Sequence, residues 1–217
     1  YIQEEDGLGL RPNIGLRGAH PHRSRKVTIM EDGLLVGPAP YSAPAAYYFP
    51  STSRTANIEV FKGPSSVQYG PNSIGGAINM VTKPISLKNY TEVDISTGLL
   101  NKLEITTSNT SGRFGYLIQA TRKDGDLLRQ IPGQDALTFK QEDLLVKFKY
   151  DLTREGGKKQ SLSTKVSYST EESSESYLGT SQQDFDNDPY VRYQASSDDQ
   201  MKWKRVAASL NYKIKKA

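Results

Sequence analysis

At 217 residues the chain is long enough for one or two domains. Only 35% of it is hydrophobic, its mean hydropathy is −0.61, and no run of about 18 apolar residues occurs, which excludes a helical membrane protein. Its net charge of +4 comes from dispersed Lys and Arg with no basic block. No motif of a nucleic-acid module accompanies them, so nucleic acid is not an expected partner. Membrane-spanning β-strands remain open, because alternating lipid-facing and lumen-facing residues average to a polar sequence. The absence of Cys decides nothing about compartment.

Up to about Lys83 the chain is dense in Gly and Pro, and 37–44, Gly-Pro-Ala-Pro-Tyr-Ser-Ala-Pro, is a loop on composition alone. The alternating strand Ile58 to Phe61 breaks at Gly63-Pro64. A Ser-rich turn, the Gly75-Gly76 pair and a second apolar strand from Ala77 to Val81 follow. Past Lys83-Pro84 six alternating runs succeed one another, around Thr91–Thr97, Leu103–Ser108, Tyr116–Thr121, Leu144–Tyr150, Leu162–Tyr168 and Val206–Ile214. Period-two alternation is the strand signal, and runs of about ten residues suit tilted membrane-spanning strands. The connections 110–113 and 154–158 are short, while Asp124 to Phe139 and Glu171 to Lys202 are long and polar. Short turns on one side and long loops on the other distinguish a membrane barrel from a soluble meander. On that register Val166, Tyr168, Leu210 and Tyr212 face outward, and Lys165 and Lys213 face inward. Phe114, Tyr116, Tyr150 and Tyr212 near strand ends are candidates for an interfacial aromatic girdle.

The parts of an enzyme are missing. There is no Cys nucleophile and no Gly-x-Ser-x-Gly elbow. His20 and His22, the only histidines, lack the flanking ligands of a zinc site. The stretch from Gly63 to Gly76 lacks the Gly-Lys-Ser/Thr ending of a phosphate-binding loop. No catalytic residue, resident metal or cofactor is expected.

Three segments in order, 12–18 (Pro-Asn-Ile-Gly-Leu-Arg-Gly), 27–33 (Val-Thr-Ile-Met-Glu-Asp-Gly) and 57–83, resemble the plug domain of TonB-dependent outer-membrane receptors. The resemblance implies an α+β plug domain over residues 1–83, incomplete at its start. After it come the first six strands of an antiparallel transmembrane β-barrel over 84–217, a partial barrel. Tyr1 opens mid-segment without a signal peptide and Ala217 follows directly on a strand, so the chain reads as a fragment of a longer receptor. The function implied is active import of a ferric chelate, the transported ligand, across the outer membrane of a Gram-negative bacterium. The partners implied are the TonB-ExbB-ExbD energy-transducing complex and outer-membrane lipid, with the barrel itself monomeric. Alternatives are a receptor of this fold for a nickel chelate or cobalamin, a signalling receptor with a further domain ahead of the plug, and a soluble β-rich binding module.

The resemblance also assigns residues. Outward plug loops fall at Gln3–Arg11, Ala19–Lys26 and Pro38–Pro50. The second carries His20, His22, Arg23, Arg25 and Lys26, and its cations suit an anionic chelate because guanidinium forks match carboxylates in two-point contacts. The third carries Tyr41, Tyr47, Tyr48 and Phe49, an exposed aromatic group whose tyrosines are expected to supply contact area. Arg17, Glu59 and Lys62 are assigned to a lock between plug and barrel, with the partner glutamates on later strands. Ala39-Pro40-Tyr41 and the loop from Ser176 through Asp188-Pro189-Tyr190 to Met201 resemble the ferric-citrate-type branch. Ala43 stands where that branch has a ligand-contacting glutamine, and an alanine supplies no amide donor or acceptor.

Overall fold

The computed structural model describes residues 1–3, 8–36, 48–70, 72–176 and 178–215. They form two compact units, Tyr1–Lys83 and Pro84–Ala217.

In the first unit β1 (Ile2–Gln3) pairs antiparallel with β2 (Asn13–Ile14). A mixed four-stranded sheet is built from β3 (Val27–Glu31), β4 (Leu34–Leu35), β5 (Thr55–Phe61) and β6 (Gly76–Thr82), in the order β4-β3-β6-β5. β3 and β6 run parallel, with Ile29 opposite Ile78. Val27, Ile29 and Met30 of β3 and Ala77, Ile78 and Met80 of β6 are buried. β3 is buried at every position, polar Thr28 and Glu31 included, which is why it shows no alternation. Asp32 and Gly33 turn β3 into β4 with φ of 50° and 79°, the two positive values that a two-residue type I′ hairpin requires. β6 holds that turn in place. The Gly33 N–H donates to Asn79 Oδ1 (2.8 Å), and Thr82 donates its N–H and hydroxyl to the two Asp32 carboxylate oxygens (2.8 and 2.6 Å). The helical content of this unit, among the described residues, is short 3-10 turns, of which Gly63–Tyr69 spans the expected Ser-rich turn.

Gly15 and Gly75 stand where backbone packs closely against backbone. A Cβ on Gly15 would sit 2.3 Å from the Ala19 carbonyl oxygen, and one on Gly75 would sit 2.9 Å from that of Lys26. The Gly75 N–H donates to that same Lys26 oxygen at 2.7 Å. Gly15→Ala must therefore push backbone apart, at about 1–3 kcal/mol. Gly18→Ala meets nothing within 4 Å and carries only the strain of φ +76°. Limited trypsin digestion of the receptor bearing this chain is expected to cut faster at Arg23 and Arg25 in Gly15→Ala than in Gly18→Ala; equal rates would refute the close-packing account.

The second unit is one six-stranded antiparallel meander in sequential order: β7 (Tyr90–Ser96), β8 (Leu100–Ser111), β9 (Phe114–Asp126), β10 (Thr138–Asp151), β11 (Lys159–Ser173) and β12 (Met201–Lys215). Two residues, Gly112 and Arg113, join β8 to β9, and 152–158 join β10 to β11. At the opposite end lie the long loops 127–137 and 174–200, together with the short turn 97–99. β8 to β12 run 12 to 15 residues, longer than their alternating runs, because backbone pairing continues past the apolar stretch into polar residues such as Glu172 and Lys202.

Across the sheet the register aligns side chains into rows. Phe114, Tyr150, Leu162 and Tyr212 form one row at the short-turn end, and Tyr116, Phe148, Thr164 and Leu210 form the next. The Phe114 and Phe148 rings stack at 5.7 Å. At the long-loop end the last apolar row is Ile105, Ala120, Leu144, Tyr168 and Val206. The row beyond it holds Arg122, Glu142, Thr170 and Lys204. From Phe114 to Arg122 the strand rises about 27 Å at ~3.4 Å per residue, about 20 Å once tilted by ~40°, close to the ~25 Å band of outer-membrane barrels. Val166 on this face is 46% exposed and Lys165 on the other only 8%. Both faces thus carry the expected residues, with Lys213 on the side of Lys165. The other face is polar and cross-linked: Gln119 donates to Glu104 (2.8 Å), Gln141 to Glu171 (2.8 Å) and Ser169 to Asp143 (2.6 Å).

Candidate functional site

Four of the residues expected to bind ligand, His20, His22, Arg23 and Arg25, come together on the loop between β2 and β3. A 3-10 turn spans His22–Ser24, and inside it Arg23 and Ser24 both adopt the left-handed conformation, with φ of 51° and 50°. Non-glycine residues held there cost of order 1–3 kcal/mol each and persist only where surrounding contacts over-determine them. β2 provides those contacts. Asn13 Oδ1 accepts the Arg23 N–H (2.8 Å), and the buried Ser24 hydroxyl accepts the Ile14 N–H (2.9 Å). The consequence is outward presentation: His20, His22 and Arg25 are exposed and Arg23 is half-buried. The His22 N–H donates to His20 Nδ1 at 3.1 Å, and the rings meet edge to face at 6.3 Å.

Tyr41 and Tyr47, like Ala39, Pro40 and Ala43, lie outside the described residues. Tyr48 corrects the expectation of an exposed aromatic. It is 5% exposed, and its hydroxyl is hydrogen-bonded to Arg54 Nη2. Arg54, 2% exposed, also donates Nε and Nη2 to Glu31 Oε2 at 3.0 and 2.6 Å. A buried guanidinium needs such partners, and the phenol is drawn inward as one of them.

Of the lock residues, Arg17 approaches the backbone next to Lys62. Arg17 has φ 53°, and its Nη1 lies 3.8 Å from where a Cβ on Gly63 would stand, beside Lys62. Both are exposed, and neither has an ion pair among the described residues. Glu59 is engaged elsewhere, accepting from Asn79 Nδ2 at 2.8 Å.

Loop 174–200 has an order that the sequence reading passed over. A six-residue helix, α1 (Gln182–Asn187), is capped by Ser181, whose Oγ accepts the Asp184 N–H at 3.1 Å. The Ser-x-x-Asp spacing at 181–184 was the available signal. Arg192, 4% exposed, donates Nε to Ser196 Oγ (2.7 Å), Nη2 to Ser196 O (2.6 Å) and Nη1 to Ser174 O. Its backbone reaches the other long loop: Arg192 N–H donates to Gln130 O (2.9 Å) and Gln130 N–H to Tyr190 O (2.8 Å). Donation from Tyr193 and Ser181 holds the Asp184 carboxyl below the usual carboxylate range. A lowered pKa contributes stability that is complete above the unfolded value and is lost as pH falls through the folded one. Amide exchange in 181–193 is therefore expected to accelerate below about pH 4; a pH-independent opening of that segment would rule out Asp184 as its anchor.

The class is that of a small mixed-sheet unit followed by an antiparallel meander with one apolar and one polar face. Residues 2–77 match the TonB-dependent Receptor Plug Domain family. The whole chain is similar to known receptor structures. It is 25% identical to the ferric citrate transporter FecA in its unliganded form, over 99% of this chain and 33% of that one, with a TM-score of 0.73. A variant of the ferric enterobactin receptor PfeA from Pseudomonas aeruginosa shares its fold at 14% identity, over 99% and 34%, with a TM-score of 0.64. So does the siderophore receptor PirA from Acinetobacter baumannii, at 16%, over 79% and 27%, with 0.57. The plug match thus covers residues 2–77, and the antiparallel strands after them are similar in fold to strands of such receptors. The chain spans about a third of the length of the receptors it matches.

Proposed function

We propose that the protein bearing this chain imports a ferric chelate across the outer membrane of a Gram-negative bacterium, driven by TonB with ExbB and ExbD. The barrel would act as a monomer, with outer-membrane lipid around it. The observation that carries this reading is similarity to a ferric citrate transporter running through both units at 25% identity. The cationic loop supports an anionic cargo: His20, His22, Arg23 and Arg25 are fixed on one backbone turn that its hydrogen bonds hold in a strained form. Tyr41 and Tyr47 extend the same proposal as contact area. Ala43, in place of an amide side chain, favours an anionic ferric chelate other than ferric citrate. Arg17 and Lys62, both exposed cations, would meet carboxylates of later strands, and Glu59 would belong to the same lock.

The test is titration of the purified receptor with ferric citrate, other ferric hydroxycarboxylate chelates, a nickel chelate and cobalamin. Hydrogen bonds to charged groups contribute about 1.5–3 kcal/mol. Arg23→Ala with Arg25→Ala is thus expected to weaken binding of the preferred chelate at least about tenfold, since ~1.4 kcal/mol is one decade. Arg17→Ala should leave affinity intact and raise leakage of small antibiotics. Unchanged affinity in the double variant would remove the cationic loop from the binding site, and preference for cobalamin would replace the cargo.

A further inference from the structure

The membrane-facing surface of the second unit is not uniform. In the last apolar row every neighbour of Ala120 is large: Ile105 on β8 and Leu144 on β10 flank it, and Tyr168 lies one strand further on. The missing bulk at position 120 leaves a groove of about 290 Å³ between these side chains, with Leu103 closing one side. The groove runs up to the charged border, where Arg122 and Glu142 line its mouth.

The mouth is chemically lopsided. Glu142 is taken by Lys140 at 2.7 Å. Arg122 spends only Nε, on Asp124 Oδ1 at 3.1 Å, and its two terminal nitrogens make no hydrogen bond among the described residues. The side chain is 55% exposed, so the fork stands open at the groove's end. Lys202 and Lys204 lie on the same two border rows, so four cations stand there against the three carboxylates Asp124, Glu142 and Glu172. A guanidinium with two free parallel donors is matched by a phosphate in a bidentate pair. An apolar trench leading away from it is matched by hydrocarbon, at roughly 0.8 kcal/mol per buried CH₂.

We propose that this groove is a lipid site: one acyl chain lies over Ala120, and the phosphate of the same lipid's head group sits on the terminal nitrogens of Arg122. The occupant is an acylated, phosphate-bearing lipid of the leaflet on the long-loop side. The site lies wholly within the second unit and rests on the membrane-barrel reading above. It would tie a lipid beneath loop 127–137, which directly continues β9.

Native mass spectrometry of the full receptor tests it. After delipidation the receptor is offered dimyristoyl phosphatidylglycerol or, as the phosphate-free counterpart, dimyristoylglycerol. The parent is expected to retain one phosphatidylglycerol and no dimyristoylglycerol under conditions that strip the remaining lipid. Ala120→Phe fills the groove and should abolish retention. Arg122→Gln keeps the groove but removes the cation and should weaken retention at least about tenfold. Val206→Phe, on the same row outside the groove, should change nothing. Retention unchanged in both Ala120→Phe and Arg122→Gln, or equal retention of the two lipids, overturns the site. If Ala120→Phe fails to fold, Arg122→Gln decides alone. Heat-modifiable gel mobility of each variant reports the folded barrel, so a receptor lacking it contradicts the barrel reading instead of the lipid site.

Discussion

Glu31→Ala is expected to loosen the plug sheet more than any other single substitution in the first unit. Glu31 ends β3, and its carboxylate accepts two bonds from Arg54, which directly precedes β5 and is itself buried. Arg54 also carries backbone consequence, since its carbonyl accepts the Lys83 N–H at 2.9 Å where β6 ends. Removing one partner of a buried pair leaves the other charge uncompensated, at about 3–5 kcal/mol. Measured by hydrogen exchange in the intact receptor, amides of 27–31 and 76–82 should exchange about two to three and a half decades faster, at ~1.4 kcal/mol per decade. Replacing the pair together, Glu31→Leu with Arg54→Met, should cost less than either single change, because no buried charge then remains. Additive losses would mean that the two side chains act independently and that the ion pair is incidental.

Val166→Lys should be the most damaging change in the second unit. Val166 lies mid-row on the apolar face, opposite Val146 on β10 and Ala208 on β12. A lysine near the bilayer midplane on the lipid face costs roughly 2–4 kcal/mol, falling toward zero near the interfaces. Its neighbour Lys165 already places an ammonium on the opposite face, so the charge itself is tolerated one residue away. Refolding into vesicles followed by denaturant titration should show Val166→Lys destabilised by that amount, and Thr170→Lys, on the charged border row, almost unaffected. Equal effects at the two positions would remove the lipid-facing assignment and leave a soluble sheet. The same comparison dates the border independently of the groove at Ala120.

Local pattern made much of the fold legible. Period-two alternation is written into each strand separately, so Leu144 against Asp143 or Val166 against Lys165 fixes a face without knowledge of any partner. The short connection at 110–113 likewise announces its turn, because Gly112 adopts positive φ at little steric cost. The cationic loop was equally visible, since His20, His22, Arg23 and Arg25 are near neighbours in sequence. Tyr48 shows where such reading stops. Whether an aromatic on an irregular segment faces water depends on a buried guanidinium six residues later and a carboxylate seventeen residues earlier, and no periodicity links the three. The parallel pairing of β3 with β6, the approach of Arg17 to Gly63 and the joining of loops 127–137 and 174–200 through Gln130 and Arg192 are of the same kind. Alternation and turn chemistry act within a few residues and so belong to the sequence alone; contacts between segments tens of residues apart are decided by which surfaces the completed strands bring within hydrogen-bonding reach, and only the tertiary structure holds that information.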